Sequence, residues 1–207
     1  MTRIAFILLC HKDPDAVIAQ AERLTASGDF VAVHFDGRSD IEDYRQIENA
    51  LSHNANVMMA PRRVRCGWGE WSLVEATLVT LQAAYEQFVT ATHFYMVSGD
   101  CMPTKSAHYA HKMLEPAGTD YIESFDFHNS DWIKTGMRKD RLQFRHWFNE
   151  RKHKKLFYWS MEAQRALGLK RTPPDGIKVY IGSQWWCLRR ETAVSYTHLT
   201  LPTICSV

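Results

Sequence analysis

The sequence has no long apolar run and no leader-like N-terminus. No stretch of its 207 residues approaches the roughly 20 apolar residues that a membrane-spanning helix requires. Met1 to Cys10 contains one Arg and too short an apolar run for a signal peptide. A hydrophobic fraction of 45% and a charged fraction of 23% exclude disorder, collagen and a coiled coil. We expect a cytoplasmic chain whose contact with a membrane, if any, is peripheral.

Cysteine and histidine do not form a metal-ligand pattern. The five cysteines are scattered, odd in number and without a close pair at zinc-ligand spacing, which favours reduced, mostly buried thiols. Among the ten histidines, His108 and His111 on a predicted helix and His146 and His153 in a basic stretch have no recognised partner ligands nearby. We therefore expect no structural metal site.

The glycine-rich motifs of common nucleotide sites are also missing. Neither a P-loop nor a dinucleotide fingerprint is present, which disfavours kinases, P-loop enzymes and ordinary dehydrogenases. The absence of a Gly-x-Ser-x-Gly elbow disfavours an α/β-hydrolase. The one Asp-x-Asp pair, Asp13 with Asp15, follows the first predicted strand. Capping of the next helix explains Asp13 there better than Mg²⁺ binding does.

The hydrophobic pattern that is present alternates between strands and helices. Apolar runs predict strands at Arg3–Cys10, Phe30–Phe35, Asn56–Ala60, His93–Val97, Tyr121–Phe125 and Val179–Leu188. Helices are predicted after Asp13, across Ile41–Leu51, from a Ser72/Glu75 capping box, and near Ser106–Leu114. This order predicts an α/β fold with a largely parallel sheet, whose ligands bind at the carboxyl ends of the strands. Asp36 and Asp100 lie at such ends.

Positive charge is concentrated between Lys134 and Lys155. This window contains nine Lys or Arg residues and two acidic ones, a net charge of +7 in a chain whose total is +2. Phe144, Trp147, Phe148, Phe157, Tyr158 and Trp159 lie in or just beyond it. The pattern fits nucleic-acid binding or a largely helical stretch with rings in the core and solvated cations. We favour the helical interpretation and expect no nucleic-acid partner, because no nucleic-acid module signature is present.

The C-terminal segment differs in composition from the rest of the chain. Ser195 to Val207 contains no Lys, Arg, Asp or Glu. A β-rich terminal strand is one interpretation, but the string resembles the translated sequencing-adapter read-through that ends open reading frames in fragmentary metagenomic assemblies. We therefore expect one native domain over residues 1–194 and a foreign tail over residues 195–207.

Four local patterns together resemble a known enzyme family. They are Val33 to Asp40 (VHFDGRSD), Gly67 to Leu78 (GWGEWSLVEATL), Val97 to Lys105 (VSGDCMPTK) and Gly182 to Arg190 (GSQWWCLRR). Their order and spacing between Arg3 and about Thr192 resemble the Core 2 / I-branching β-1,6-N-acetylglucosaminyltransferase family, which includes the peptide O-xylosyltransferases. The resemblance is closest to the bacterial branch, which lacks the Golgi membrane anchor.

The resemblance implies a glycosyltransferase fold of type A and an inverting sugar transfer that uses no metal ion or other cofactor. The implied donor is UDP-N-acetylglucosamine, with UDP-xylose as the alternative. The implied acceptor is a hydroxyl group of a glycan, such as a bacterial surface or exported polysaccharide. A carbohydrate- or nucleotide-binding module without catalysis stays open as a second class of function.

Site residues are also implied by the resemblance. The donor-binding residues would be His11, Asp36, Arg38, Trp68 and Asp100. The acceptor-binding residues would be Glu123, Lys139, Arg141, Gln184, Trp185 and Trp186. Adjacent residues of a strand point to opposite faces, so we expect one of the two tryptophans in the core and assign the sugar contact to Trp185.

No catalytic base is assigned within the sequence. In the family this base is a Glu in a Pro-x-Glu-like motif that follows the Gly182–Leu188 strand, and no such motif is present here. Glu191 lies too early in the chain and is interpreted as a helix-start residue. We therefore expect an N-terminal fragment, truncated before the base and before the basic residues that hold the leaving diphosphate, with little or no transferase activity.

Overall fold

The computed structural model describes residues 2–115, 118–129, 140–172 and 176–195, and the side chains of residues 140 and 141 are outside this description. The chain divides into two compact units. The first contains residues up to Glu123 and from Gln184 onward, and the second contains residues 124–183. No helix within the described ranges is both long enough and apolar enough to cross a bilayer.

Strands and helices alternate as the hydrophobic pattern predicts. In chain order they are β1 (Ile4–Cys10), α1 (Pro14–Thr25), β2 (Phe30–Phe35), α2 (Ile41–Leu51), β3 (Val57–Met59), α3 (Trp71–Gln87), β4 (His93–Ser98), α4 (Ala107–Leu114), β5 (Tyr121–Asp126), α5 (Asp140–Gln143), α6 (Lys154–Ala166) and β6 (Tyr180–Arg189). Residues 190–195 are helical, in agreement with the interpretation of Glu191. The predicted strand bounds agree with these to within one residue at each end.

The six strands form one mixed, mostly parallel sheet in the order β3-β2-β1-β4-β6-β5. Strand β1 pairs in parallel with β2 and β4, and β2 pairs in parallel with β3. Strand β6 is antiparallel to β4. The chain moves outward from β1 to β3 and then crosses to β4 on the other side of β1. The carboxyl ends of β1 and β4 therefore flank the topological switch point, where open α/β sheets bind ligands.

Strand β1 is buried on both faces of this sheet. Ile4, Phe6 and Leu8 lie in an apolar cluster with residues of α1, α2 and α4. Ala5 and Ile7 lie in a second cluster with residues of α3, β4 and β6. Burial on both faces explains why β1 is a continuous apolar run in the sequence rather than an alternating pattern.

The predicted cap of α1 is only partly correct. Asp13 occupies the N-cap position, but its backbone is left-handed, with φ of 54°, and its side chain makes no capping hydrogen bond. Its carboxylate lies instead 3.8 Å from the ammonium group of Lys12. A neighbouring charge has replaced the local backbone N–H as the partner of this side chain.

The predicted capping box at the start of α3 is wrong. The helix begins at Trp71, and its N-cap residue makes no side-chain capping bond. The Ser72 hydroxyl instead accepts a hydrogen bond from Gly67 N at 2.9 Å. Glu75 pairs with Arg62, 2.6 Å away. Tertiary partners have taken both side chains that the local pattern assigned to the cap.

The basic, aromatic stretch is helical only in part. Residues 144–153, between α5 and α6, are not helical. Phe144 is buried as expected. Trp147, Tyr158 and Trp159 are 58%, 48% and 68% exposed, so the expectation of rings in the core is wrong for these three. The side of α6 that is buried carries Gln164, whose amide exchanges hydrogen bonds with the backbone of Arg145 at 2.8 and 2.9 Å.

Asp29 links β1, β2 and α4 in the first unit. Its carboxylate is buried, accepts a hydrogen bond from Ile4 N at 2.9 Å, and lies 2.8 Å from Nε2 of His111. We predict that Asp29→Ala lowers the free energy of unfolding by about 2 kcal/mol, because a buried N–H and an imidazole lose their acceptor. Urea denaturation followed by circular dichroism measures this change. Glu22→Ala, on the exposed side of α1, is the control, and equal effects of the two variants would contradict the role of Asp29.

Candidate functional site

The segments that follow β1, β2 and β4 are joined along one edge of the sheet. Asp36 N, directly after β2, donates to Cys10 O at the end of β1 at 2.9 Å. Gly99 N, directly after β4, donates to Leu9 O at 3.0 Å. A Cβ at Gly99 would come within 3.0 Å of the Cys10 side chain, so close packing favours glycine there. These contacts fix three strand ends around the switch point.

Asp36 joins two loops through one carboxylate oxygen and leaves the other oxygen available to a ligand. Oδ1 accepts hydrogen bonds from Arg38 N at 2.8 Å and from Cys66 N at 3.0 Å. These bonds join the turn after β2 to the segment between β3 and α3. Oδ2 makes no hydrogen bond within the described part of the chain. It can therefore accept a hydrogen bond from a ligand N–H or hydroxyl group.

Arg63 and His34 form hydrogen bonds with the backbone of the same loops. Nη2 of Arg63 donates to the carbonyl oxygens of Asp36 at 2.8 Å and Ser39 at 2.6 Å. The buried His34 ring accepts a hydrogen bond from Val64 N through Nε2 at 2.9 Å. A nitrogen that accepts is unprotonated, so the ring is neutral in this arrangement. Burial also lowers the pKa of His34, which favours the same neutral form.

Arg38 faces a carboxylate from the loop before α3. Its Nη2 lies 3.5 Å from Oε2 of Glu70, and both side chains are partly exposed. The Glu70 carboxylate lies over Gly67, where an added Cβ would come within 2.0 Å of it. Gly67 thus permits Glu70 to approach the loop backbone closely. Trp68, on the same loop, is 70% exposed and presents an indole ring to solvent.

Lys12 and Asp100 form an ion pair between the segments after β1 and β4. Nζ of Lys12 lies 3.2 Å from Oδ1 of Asp100, and both side chains are more than half exposed. The hydrogen bond and negative charge of Asp100 raise the pKa of Lys12. The ammonium group of Lys12 therefore places a positive charge at the switch point of the sheet.

The structure places all five predicted donor residues in the segments that follow β1, β2, β3 and β4. They are His11, Asp36, Arg38, Trp68 and Asp100. The carbonyl oxygen of the exposed His11 accepts a hydrogen bond from the Ser39 hydroxyl, which joins the loops after β1 and β2. Sequence reasoning missed Lys12, although its position beside His11 at a strand end was a usable signal. It also missed Glu70 and Arg63, whose partners are set by the fold.

The predicted acceptor residues that can be located lie on β5 and β6. Glu123 is exposed on β5, and Gln184 is exposed on β6. Trp185 is 39% exposed, whereas Trp186 is 5% exposed and belongs to the core cluster of β1 and α3. The expected division between the two tryptophans is therefore observed, and Trp185 has the accessible ring. Lys139 and the side chain of Arg141 lie outside the described residues.

Thiols and metal ligands do not form a second centre in the described ranges. The four cysteines described there are free, and burial raises the pKa of Cys10 and Cys187 to about 12. Neutral thiols in apolar surroundings are poor nucleophiles. The described residues contain no group of three or more His, Cys, Asp or Glu side chains that could hold a metal ion.

We predict that stability falls as the pH drops below about 6.5, in part because of His34. A lowered pKa in the folded state means that the unfolded chain binds the proton more readily. The stabilising contribution is therefore present above the ordinary histidine pKa and is lost as the pH falls through it towards the folded value. His34→Gln keeps an acceptor for Val64 N but does not titrate. Its free energy of unfolding should decrease less than that of the wild type between about pH 7.5 and pH 5.

The exposed His53 supplies the control for this experiment. His53→Gln should keep the pH dependence of the wild type. Denaturant titrations at several pH values measure both slopes. Identical slopes for His34→Gln and the wild type would show that protonation of His34 does not limit stability at low pH.

Comparison with models of protein families identifies the family of the chain. The family model described as Core-2/I-Branching enzyme matches residues 4–198. The matched range includes every strand and helix named above and the first four residues of the segment predicted to be a foreign tail. The boundary of that tail stays a prediction. No curated protein matches the chain.

Proposed function

Because the chain belongs to the Core-2/I-branching enzyme family, whose members are glycosyltransferases, we propose that it acts in transfer of a sugar from UDP-N-acetylglucosamine to a glycan hydroxyl. The observation that carries this proposal is the convergence of strand ends at the switch point. Lys12, Asp36, Arg38 and Asp100 follow these strand ends, and a nucleotide diphosphate-sugar offers groups that match each of them. Open α/β sheets bind nucleotides at such an edge.

We propose that Asp36 binds the uridine part of the donor. Its Oδ1 is engaged by two backbone N–H groups, so the carboxylate is held in a fixed orientation. Its Oδ2 can then accept from the uracil N–H or from a ribose hydroxyl. Trp68 has an exposed ring on the adjacent loop, and a ring of this kind packs well against the apolar face of a sugar.

The diphosphate is proposed to bind the side-chain cations of this edge rather than a metal ion. Lys12 follows β1, and Arg38 lies in the turn after β2. Charge-assisted hydrogen bonds from ammonium and guanidinium groups to phosphate are stronger than neutral ones. Both cations now pair with carboxylates, at 3.2 Å for Lys12 and 3.5 Å for Arg38. Exposed pairs are weak, so a phosphate can exchange for either carboxylate at small cost.

The proposed reaction is a single in-line displacement with inversion. The acceptor hydroxyl oxygen forms a bond to the anomeric carbon while the bond from that carbon to the diphosphate oxygen breaks. A carboxylate takes the hydroxyl proton as general base, and UDP leaves with the bonding electron pair. Asp36 and Asp100 are assigned to the donor and Glu123 to the acceptor, so none of them is proposed as this base.

The acceptor is proposed to bind along β6, at Trp185 and Gln184. The Trp185 ring is accessible, whereas the Trp186 ring is part of the core. Sugars present C–H faces that pack on aromatic rings and hydroxyl groups that bond to amides and carboxylates. Gln184 and Glu123, both exposed, offer these polar groups.

Asp36→Asn tests the donor site directly. The Asn side-chain oxygen can still accept from the two backbone N–H groups, so folding should be preserved, but an amide N–H₂ replaces the free oxygen. We predict that the affinity for UDP, measured by calorimetry, falls about tenfold, as expected for loss of a hydrogen bond to a charged group. Asp43→Asn on α2 is the matched control and should bind like the wild type. Absence of UDP binding by the wild type would refute the proposed donor.

Glu70→Gln tests whether the Arg38–Glu70 pair competes with the ligand. Removal of the carboxylate charge leaves Arg38 without its anionic partner, so we predict that UDP binds about threefold more tightly. Arg38→Ala should weaken binding. Glu75→Gln, which breaks the pair with Arg62 at the start of α3, is the control and should leave the affinity unchanged. Weaker binding by Glu70→Gln would mean that Glu70 positions Arg38 rather than competing for it.

A further inference from the structure

Helix α6 of the second unit presents an apolar stripe to solvent. Leu156, Trp159, Ala163 and Leu167 follow one another at helical spacing, so they lie along one face. Leu156, Trp159 and Leu167 are 45%, 68% and 72% exposed. The residues that attach α6 to its own unit are different ones, Ser160, Met161 and Gln164. The exposed stripe is therefore not the packing face of the helix.

The part of the chain that carries this stripe is strongly basic. Residues 144–172 contain eight Lys or Arg residues and two acidic ones, a net charge of +6. Lys154 and Lys155 begin α6, are exposed, and make no ion pair with any described residue. Lys155 lies one turn before Trp159, on the same face. Of the two acidic residues, Glu162 pairs with Arg165. The segment is thus predominantly cationic, and Lys155 is the cation that helical spacing places beside the stripe.

Two further aromatic residues of the second unit, Trp147 and Tyr158, are exposed and carry a polar group on the ring. Trp147, in the segment before α6, exposes more than half of its surface. Tyr158 is also exposed, and its hydroxyl donates to Glu150 at 2.6 Å. Indole and phenol rings combine an apolar body with a polar group, and they are enriched where water meets the lipid headgroups of a bilayer.

We propose that this face of α6 docks on the surface of a membrane that contains anionic lipids. The helix would lie in the plane of the surface, with Trp159 and Leu156 between the headgroups. Lys155, one turn before Trp159, would bind the lipid phosphates, which attract basic residues near the surface. The other cations of the segment would add long-range attraction to an anionic surface. The charge and the apolar stripe together favour this partner. The cations are complementary to an anionic surface, and the leucines are buried only by a surface that also contains aliphatic groups.

The aliphatic residues distinguish a lipid surface from a nucleic acid. Bases stack on aromatic rings, and Trp147 and Trp159 could serve either partner. Leu156 and Leu167 have no ring and gain nothing from base stacking, whereas burial among acyl chains removes their apolar surface from water. The proposal does not depend on the sugar-transfer site, because every residue that it uses belongs to the second unit.

Co-sedimentation of the full chain with lipid vesicles tests the proposal. The wild type should bind vesicles of phosphatidylcholine mixed with phosphatidylglycerol at least about tenfold more tightly than vesicles of phosphatidylcholine alone. Added salt should weaken this binding, because the lysine contribution is screened. The Lys154→Gln/Lys155→Gln variant should lose about tenfold in affinity or more for the mixed vesicles. Lys112→Gln, on α4 of the first unit, should bind like the wild type.

Quenching by brominated lipids tests whether Trp159 enters the headgroup region. Tryptophan fluorescence of the wild type should be quenched on mixed vesicles that contain brominated acyl chains, and Trp159→Phe should lose much of this quenching. Trp71→Phe, at an exposed tryptophan of the first unit, is the control and should retain it. Thermal unfolding monitored by circular dichroism checks that each variant is folded, as expected for changes at exposed positions.

Three results would overturn the proposal. One is equal binding to neutral and mixed vesicles, and another is unchanged quenching in Trp159→Phe. The third is salt-sensitive binding of single-stranded DNA by a chain that does not bind vesicles, which would assign the surface to nucleic acid. Failure to bind UDP would leave this test unaffected, so the two proposals fail independently.

Discussion

The enclosure of β1 on all sides is the constraint on which the rest of the first unit depends. Parallel strands pair with both of its edges, and apolar clusters cover both of its faces. Its carboxyl end is therefore fixed, and the segments after β2 and β4 are joined to it through Cys10 O and Leu9 O. His11 and Lys12 are the first residues free of this enclosure. A fixed strand end followed by exposed charged groups is how α/β sheets position ligand-binding residues.

The loops at this edge divide structural and ligand-facing roles among their charged groups. Arg63 and one oxygen of Asp36 form hydrogen bonds with backbone groups. These bonds order the loops without burying an unpaired charge. Lys12 and Arg38 are instead held by exposed carboxylates in pairs that contribute little to stability. Such pairs keep the cations oriented towards the edge while leaving them free to exchange partners with an anionic ligand.

Sequence patterns predicted the strands well because the signal for each strand lies within the strand itself. Continuous burial of β1 and β2 produces continuous apolar runs, and these are visible without knowledge of neighbours. The capping roles of Asp13 and Ser72 failed because Lys12 and Gly67 N compete for the same oxygen atoms. The strand order, and with it the switch point, depends on contacts between distant segments that no local period encodes. For the same reason the sequence located Asp36 at the site but did not reveal Arg63 or Glu70.

Helix α6 shows why the basic, aromatic stretch allows two interpretations and why the helical one is only partly correct. An amphipathic helix normally buries its most apolar face. Here Gln164 is buried because its amide is satisfied by the backbone of Arg145, while Trp159 stays in solvent. Periodicity could not identify the buried side, because that side carries Ser160 and Gln164 beside Met161 and is no more apolar than the exposed stripe. A helix that buries the Gln164 amide and exposes the Trp159 indole departs from the usual pattern, in which polar groups face solvent and apolar groups face the core. Such departures concentrate at functional surfaces.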